Sequence, residues 1–295
     1  MNLNSFSQSL GPQILSVSAD TLPARLAVRR ADSHKGDYGS VGILGGAPGM
    51  AGAALLAGRA ALHCGAGRVY VGLLDERLAV DSACPELMLV ASEALPVLPA
   101  PACLVVGPGL GISSSARRIL ATALQNEQTL LLDADALNLI AHDAELLAQL
   151  AARNPGTTLI TPHPGEAARL LKTTIEQVQA NRESAIQTLV ALTGATVVLK
   201  GHASLIHAPA QPIWRNTTGN PGMAAPGMGD VLAGMIAALR AQGLSDEQAA
   251  VLGVWLHGQA GDDAVQAGCG PVGLTASEVI HFARRALGRW QAQPA

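Results

Sequence analysis

The sequence predicts an α/β fold built on one central, mostly parallel sheet, and three observations carry that reading. Short runs rich in Val, Leu and Ile alternate with longer stretches whose apolar residues recur at helical spacing. Hydrophobic residues make up 49% of the 295-residue chain and aromatics only 2%, so Ala, Leu, Val and Ile must pack the core, as in buried strands between helices. Gly- and Pro-rich segments fall just beyond the C-terminal ends of strands, the edge at which open α/β sheets bind ligands.

Residues 41–44 (VGIL) form the first expected strand, and GGAPGMAG leads from it into a helix over the Ala-rich 50–63. Two further strands follow at 68–73 and 87–90, and a third at 104–106, which ends in GPGLG before a helix over 114–125. Residues 129–132 (TLLL) end in DADALN and a helix over 136–152. Residues 158–160 (TLI) end in TPHPGE, with a helix over 175–192, and the strand 196–199 (TVVL) ends at Lys200. Helices over 230–241, 246–266 and 275–287 close the chain, the last two covering one flank.

The length suits one large domain, and no repeat or Ser/Gly linker divides it, so residues 21–295 are read as one unit behind an N-terminal arm, 1–20. The arm is polar and aperiodic, expected to be loosely held or to contact another subunit. A net charge of −3 and a pI near 6.2, with scattered Lys and Arg, exclude a nucleic-acid partner. The four cysteines form no CxxC pair, which speaks against a zinc ribbon or a disulfide framework. No apolar run can span a bilayer and no leader is evident, so a cytoplasmic, non-membrane protein is expected.

The chemistry concentrates in NTTGNPGMAAPGMGD, residues 216–230. Its glycines let successive N–H groups curl toward one point, and a helix is expected to start at Asp230. Converging amides at a helix N-terminus stabilise an anion such as a transferred phosphoryl group. Asp230 is then either a helix cap or a general base that takes a proton from an attacking hydroxyl, and one residue can do both. Taken singly, Lys200 reads as a solvated strand end, His163 as a rigid ligand contact or a turn residue, and Asp133 and Asp135 as helix caps.

These segments together resemble the ADP-dependent NAD(P)H-hydrate dehydratases of the ribokinase-like superfamily. HKGDYGSVGILGG from His34, GPGLG from Gly107, DADALN from Asp133, TPHPGEAARLL from Thr161 and KGHAS from Lys200 match that family in order. The resemblance implies a three-layer α/β/α fold. It also implies dehydration of the S-epimer of hydrated NADH and NADPH (NADHX and NADPHX), with ADP converted to AMP and phosphate. The C6 hydroxyl would be phosphorylated, and phosphate, a far better leaving group than hydroxide, would then depart.

Carried over residue by residue, Asp230 is the catalytic base, and Ala225 to Gly229 form the anion hole. Lys200, Gly201, His202, Ala203, Ser204, Gly227, Met228 and Gly229 contact the nucleotide. Ala53, Gly109, Gly111, His163 and Asn220, with Asp230, hold the hydrated dinucleotide. ADP is the expected co-substrate and Mg2+ the expected ion, implied by phosphate chemistry rather than by a visible ligand cluster. Pro226 and Met228 depart from the family pattern, which has small residues there, so the hole is expected to consist of backbone amides. The resemblance further implies a homo-oligomer, a tetramer, and an epimerase on a separate protein. A small-molecule kinase of the same superfamily, using ATP on a hydroxymethylpyrimidine, thiazole alcohol or sugar, is the competing reading.

Overall fold

The computed structural model describes residues 13–97 and 102–292. The first twelve residues of the expected arm lie outside the described residues. The strands are β1 Ile14–Val17, β2 Ser40–Gly45, β3 Arg68–Leu73, β4 Met88–Ala91, β5 Cys103–Val106, β6 Thr129–Leu132, β7 Thr158–Ile160, β8 Thr196–Leu199, β9 Leu205–His207 and β10 Ile213–Asn216. They make one sheet in the order β1-β10-β9-β8-β7-β6-β5-β2-β3-β4. Only β9 runs against its neighbours, so β2, β5, β6, β7, β8 and β10 all end at the same edge.

The helices are α1 Ala51–His63, α2 Ser114–Gln125, α3 Asp135–His142, α4 Ala144–Ala151, α5 Pro164–Leu171, α6 Ile175–Ala180, α7 Arg182–Thr193, α8 Met228–Ala241, α9 Asp246–Gln266 and α10 Ala276–Gln291. Two cores flank the sheet, one shared with α1, α8, α9 and α10 and the other with α2 to α7. The strands divide between them by simple alternation. Cys103 and Val105 of β5 enter one core and Leu104 and Val106 the other, and in β6 Leu131 opposes Leu130 and Leu132. Burial on both faces is why these strands read as unbroken apolar runs.

Small residues set the closest helix contact. A Cβ built on Gly234 of α8 would stand 2.0 Å from the Ala57 carbonyl oxygen of α1. Ala54, Ala57, Ala60 and Ala61 are fully buried, so the alanines of α1 serve this packing.

Several expected boundaries move, each for a local reason. The helix expected over 136–152 breaks at Asp143, whose extended backbone and side chain cap α4 at the Glu145 and Leu146 amides. The helix expected over 175–192 breaks at Asn181, which caps α7 through the Ser184 amide. TPHPGE, read as loop, opens α5, with Pro164 at the first helical position where its missing N–H costs nothing. The strand expected over 87–90 is shifted to Met88–Ala91. Part of the supposed arm, Ile14–Val17, pairs parallel to β10 at the sheet edge. KGDYG lies at the N-terminal ends of β2 and β3, opposite the ends where the loops converge, and there Gly67 packs against the Lys35 carbonyl.

Candidate functional site

The ends of β6, β7, β8 and β10 converge on one buried charge cluster. Asp133 follows β6, and its carboxylate takes a hydrogen bond at 2.6 Å from Lys200 Nζ, which follows β8. Glu166, in the first turn of α5 beyond β7, lies 3.9 Å from the same ammonium. Asp133 and Glu166 are 1% and 4% exposed, so the pairing is an interior one. Lys200 is therefore not the solvated strand end that its position alone suggested. The Lys200 carbonyl also accepts from Arg182, fixing the turn that follows β8.

The loop after β10 closes over this cluster. Gly227 is the N-cap of α8 with φ of +84°, a left-handed conformation that glycine adopts without strain. Helix α8 starts at Met228, so Asp230 is its third residue and not its cap or its first residue. Gly229 sits so close to the cluster that a Cβ there would lie 3.2 Å from Lys200 Nζ and 3.6 Å from Asp133 Oδ2. A side chain at 229 would crowd the ammonium, which would have to give by a few tenths of an ångström. Met228 is buried at 6% and packs with the core on the α8 and α9 side of the sheet.

The electrostatics follow from burial and from one cation among three carboxylates. Burial pushes Asp230 up to about 7, with Asp133 adding to the rise and Lys200 opposing it. Burial likewise lifts Glu166 to about 7, against the pull of Lys200. Burial works against the Lys200 ammonium, but Asp133 and Glu166 outweigh it and hold the pKa above its ordinary value. A carboxyl poised near neutrality beside helix amides is what proton transfer at an anion site requires.

The remaining predicted residues fall on two sides of this cluster. On one side is a cavity of ≈ 550 Å³ whose walls include Lys200 to Ser204, Met228, Gly229, Asn220, Leu232, Val254 and His257. Its size and mixed walls suit a nucleotide. Asn220, assigned from the sequence to the dinucleotide, lines this same cavity. It is held in place by its Nδ2 donating to Asp262 while its Oδ1 accepts from the Gly222 amide.

On the other side, the GGAPG and GPGLG loops interlock. The Ala47 amide donates to the Gly109 carbonyl at 2.6 Å, and a Cβ on Gly109 would lie 3.2 Å from that of Ala53. The Gly111 amide donates to Asp135, whose other oxygen accepts from Asn138, and Asn138 in turn accepts from Arg169. Ala53, Gly109 and Gly111 thus form one wall.

His163 is the N-cap of α5, accepting from the Gly165 amide through Nδ1, while Glu166 reaches back to the His163 amide at 2.7 Å. Burial, helped by Lys200 and Arg169, lowers its pKa. With half of its side chain exposed, it caps the helix and still faces solvent. Asp133 and Asp135, read as possible caps, do neither: the cap of α3 is Ala134, and the two carboxylates bond Lys200 and Gly111. Sequence reasoning missed His257 and Asp262, which lie in α9 and carry no motif of their own. Glycine spacing in that helix marks only its close approach to the loop, where Gly258 abuts Thr218.

Comparison with known proteins agrees with this architecture. The family model for NAD(P)H-hydrate dehydratase matches residues 41–282. An ADP-dependent (S)-NAD(P)H-hydrate dehydratase of Neisseria meningitidis is 43% identical, with 89% of each chain covered. The bifunctional NAD(P)H-hydrate repair enzyme of Escherichia coli is 37% identical over 97% of this chain, which spans 54% of that protein. The crystal structure of an ADP/ATP-dependent NAD(P)H-hydrate dehydratase from Bacillus subtilis, co-crystallised with ATP and Mg2+, superposes with a TM-score of 0.80 at 27% identity, covering 96% of this chain and all of that one. A hydroxyethylthiazole kinase from Pyrococcus horikoshii shares the fold alone, at 16% identity and a TM-score of 0.60, over 84% of this chain and 88% of its own. From the extent of these matches and the order of its motifs, the chain belongs to the NAD(P)H-hydrate dehydratase family.

Proposed function

We propose that this chain restores NADH and NADPH from the S-epimers of their hydrates, converting ADP to AMP and phosphate. The observation that carries the reading is Asp230: a largely buried carboxyl in the first turn of α8, at the converging amides, with its pKa lifted to about 7. In its ionised form Asp230 takes the proton of the C6 hydroxyl as that oxygen attacks the terminal phosphorus of the nucleotide. The new O–P bond forms as the bond to the AMP oxygen breaks. The Gly227 to Gly229 amides face the charge that develops on the phosphoryl oxygens. The C6–O bond then breaks, pushed by the ring nitrogen lone pair. Inorganic phosphate leaves, and loss of the neighbouring C5 proton restores the double bond.

The nucleotide lies in the cavity between Lys200 to Ser204 and the start of α8, and the dinucleotide lies against Ala53, Gly109, Gly111 and His163. Lys200, locked between Asp133 and Glu166, acts by its field and by fixing the turn rather than by reaching out to phosphate. Among the described residues no group of three His, Cys, Asp or Glu side chains could hold a metal alone. Mg2+ would be held chiefly by nucleotide phosphates and water, since this ion dehydrates reluctantly and takes few protein ligands. When bound it neutralises phosphate charge.

The test is to mix the protein with hydrated NADH, ADP and Mg2+ and follow the return of the reduced nicotinamide absorbance. Recovery that requires the nucleotide supports the reading. No recovery with either ADP or ATP refutes it, and a stable phosphate ester as product would make the chain a kinase.

A further inference from the structure

The TPHPGEAARLL segment carries a charge to which the roles of His163 and Glu166 give no purpose. Arg169 lies in the last turn of α5 and is exposed. A helical side chain leans toward its helix's N-terminus, which for α5 is the sheet edge where the loops converge. Arg169 Nη1 donates to Asn138 Oδ1 at 2.8 Å. Asn138 in turn donates to Asp135, which holds the Gly111 amide at 2.8 Å. Along α5 its charge also reaches His163, where it helps to depress the imidazole. The guanidinium is thus tied to Gly111 on one side and acts on His163 on the other, two of the residues against which the dinucleotide lies.

The way Arg169 is held leaves its charge available. Arg59, Arg117 and Arg240 each meet an aspartate at 2.6 Å. Among the described residues no carboxylate lies within ion-pair distance of Arg169, and its hydrogen-bond partner is a neutral amide oxygen. Such a partner fixes the guanidinium without neutralising it. Of its five N–H groups one is committed to Asn138. An exposed, oriented guanidinium with donors to spare matches the oxygens of a phosphate group.

The hydrated dinucleotide supplies such groups, a pyrophosphate in both forms and a further 2′-phosphate in NADPHX. The other residues assigned to its side of the site supply no cation. Ala53, Gly109 and Gly111 have no polar side chain, and the lowered pKa keeps His163 neutral. Lys200 is committed to Asp133 and Glu166. We propose that the Arg169 guanidinium, oriented by Asn138, binds a phosphate group of the hydrated dinucleotide. The assignment rests on the dehydratase reading and adds the residue that recognises the substrate's charge.

Steady-state kinetics with the S-epimers of hydrated NADH and hydrated NADPH, at saturating ADP and Mg2+, test it in wild type, Arg169→Gln and Arg169→Lys. Arg169→Gln should raise the KM for the hydrate roughly ten- to hundredfold, the worth of a hydrogen bond to a charged group. The kcat and the KM for ADP should not change, the pattern of lost binding rather than lost chemistry. Arg169→Lys keeps the charge but not the fork and should fall between. An equal rise for both hydrates assigns the pyrophosphate, and a rise confined to hydrated NADPH assigns the 2′-phosphate. Should Arg169→Gln fail to fold, Arg169→Lys, which keeps a donor for Asn138, decides by the same comparison.

An unchanged KM for both hydrates overturns the proposal. So does a fall in kcat at constant KM, or an equal rise in the KM for ADP, since either would make Arg169 a strut between α3 and α5. A wild-type protein that turns over neither hydrate would instead refute the dehydratase reading.

Discussion

Replacing Asp230 with Asn should make the protein more stable at alkaline pH while removing most of its activity. The carboxyl is held up at about 7 in the folded chain against 3.8 in the unfolded one. The folded chain therefore binds the extra proton. The stabilisation this provides is fully present below about pH 4 and is lost as pH rises through about 7. Above that, the ionised group costs at most about 4 kcal/mol, taking 1.36 kcal/mol per pH unit, and the attraction of the Lys200 ammonium for the ionised form is already part of that figure. Asn is neutral throughout, so the variant avoids this cost. With about 2 °C per kcal/mol for a chain of this size, Asp230→Asn should melt several degrees above wild type at pH 8 and close to it at pH 4, by calorimetry of the ligand-free protein. In the same variant kcat should fall by roughly 10²–10⁴, the usual worth of a positioned base. A variant that melts below wild type at pH 8, or that keeps full turnover, would refute the electrostatic account of the site.

Three further outcomes follow from the same geometry. For wild type, kcat/KM should rise with pH through a value near 7 as Asp230 ionises, and a profile flat between about pH 5 and 8 would contradict its role as base. Asp133→Ala should cost about 3–5 kcal/mol in denaturant unfolding, because it leaves the Lys200 ammonium without its 2.6 Å partner; a loss under about 1 kcal/mol would mean the pair is not buried as described. Gly234→Ala should destabilise by about 1–3 kcal/mol without changing KM, since its Cβ would meet the Ala57 carbonyl at 2.0 Å and push α1 from α8. Unchanged stability would show that this crossing is looser than it looks.

Much of this was legible in the chain itself because the signals were local. Doubly buried strands such as TLLL and TVVL must be apolar on both faces, and Gly/Pro-rich loops mark where a backbone turns at a strand end. The loop after β10 was read as leading into a helix, and it does, though that helix starts two residues earlier than Asp230. What escaped depends on distance along the chain. The pairing of Lys200 with Asp133 joins residues 67 apart, and nothing in KGHAS or DADALN says that one neutralises the other. His257 and Asp262 sit in a long, largely buried helix, α9, whose sequence carries no motif that marks them. The helix breaks at Asp143 and Asn181 were hidden because apolar spacing continues across both sites, and only capping geometry shows the interruption. TPHPGE looked like loop for the converse reason: its prolines were weighed as breakers, whereas one of them starts α5.

The most direct test of the central claim is a balance of products in a single reaction of the protein with the S-epimer of hydrated NADH, ADP and Mg2+. Each NADH restored should be matched by one AMP and one inorganic phosphate, with Asp230→Asn producing none of the three above background. NADH restored without AMP, or phosphate retained in an ester of the substrate, would contradict it.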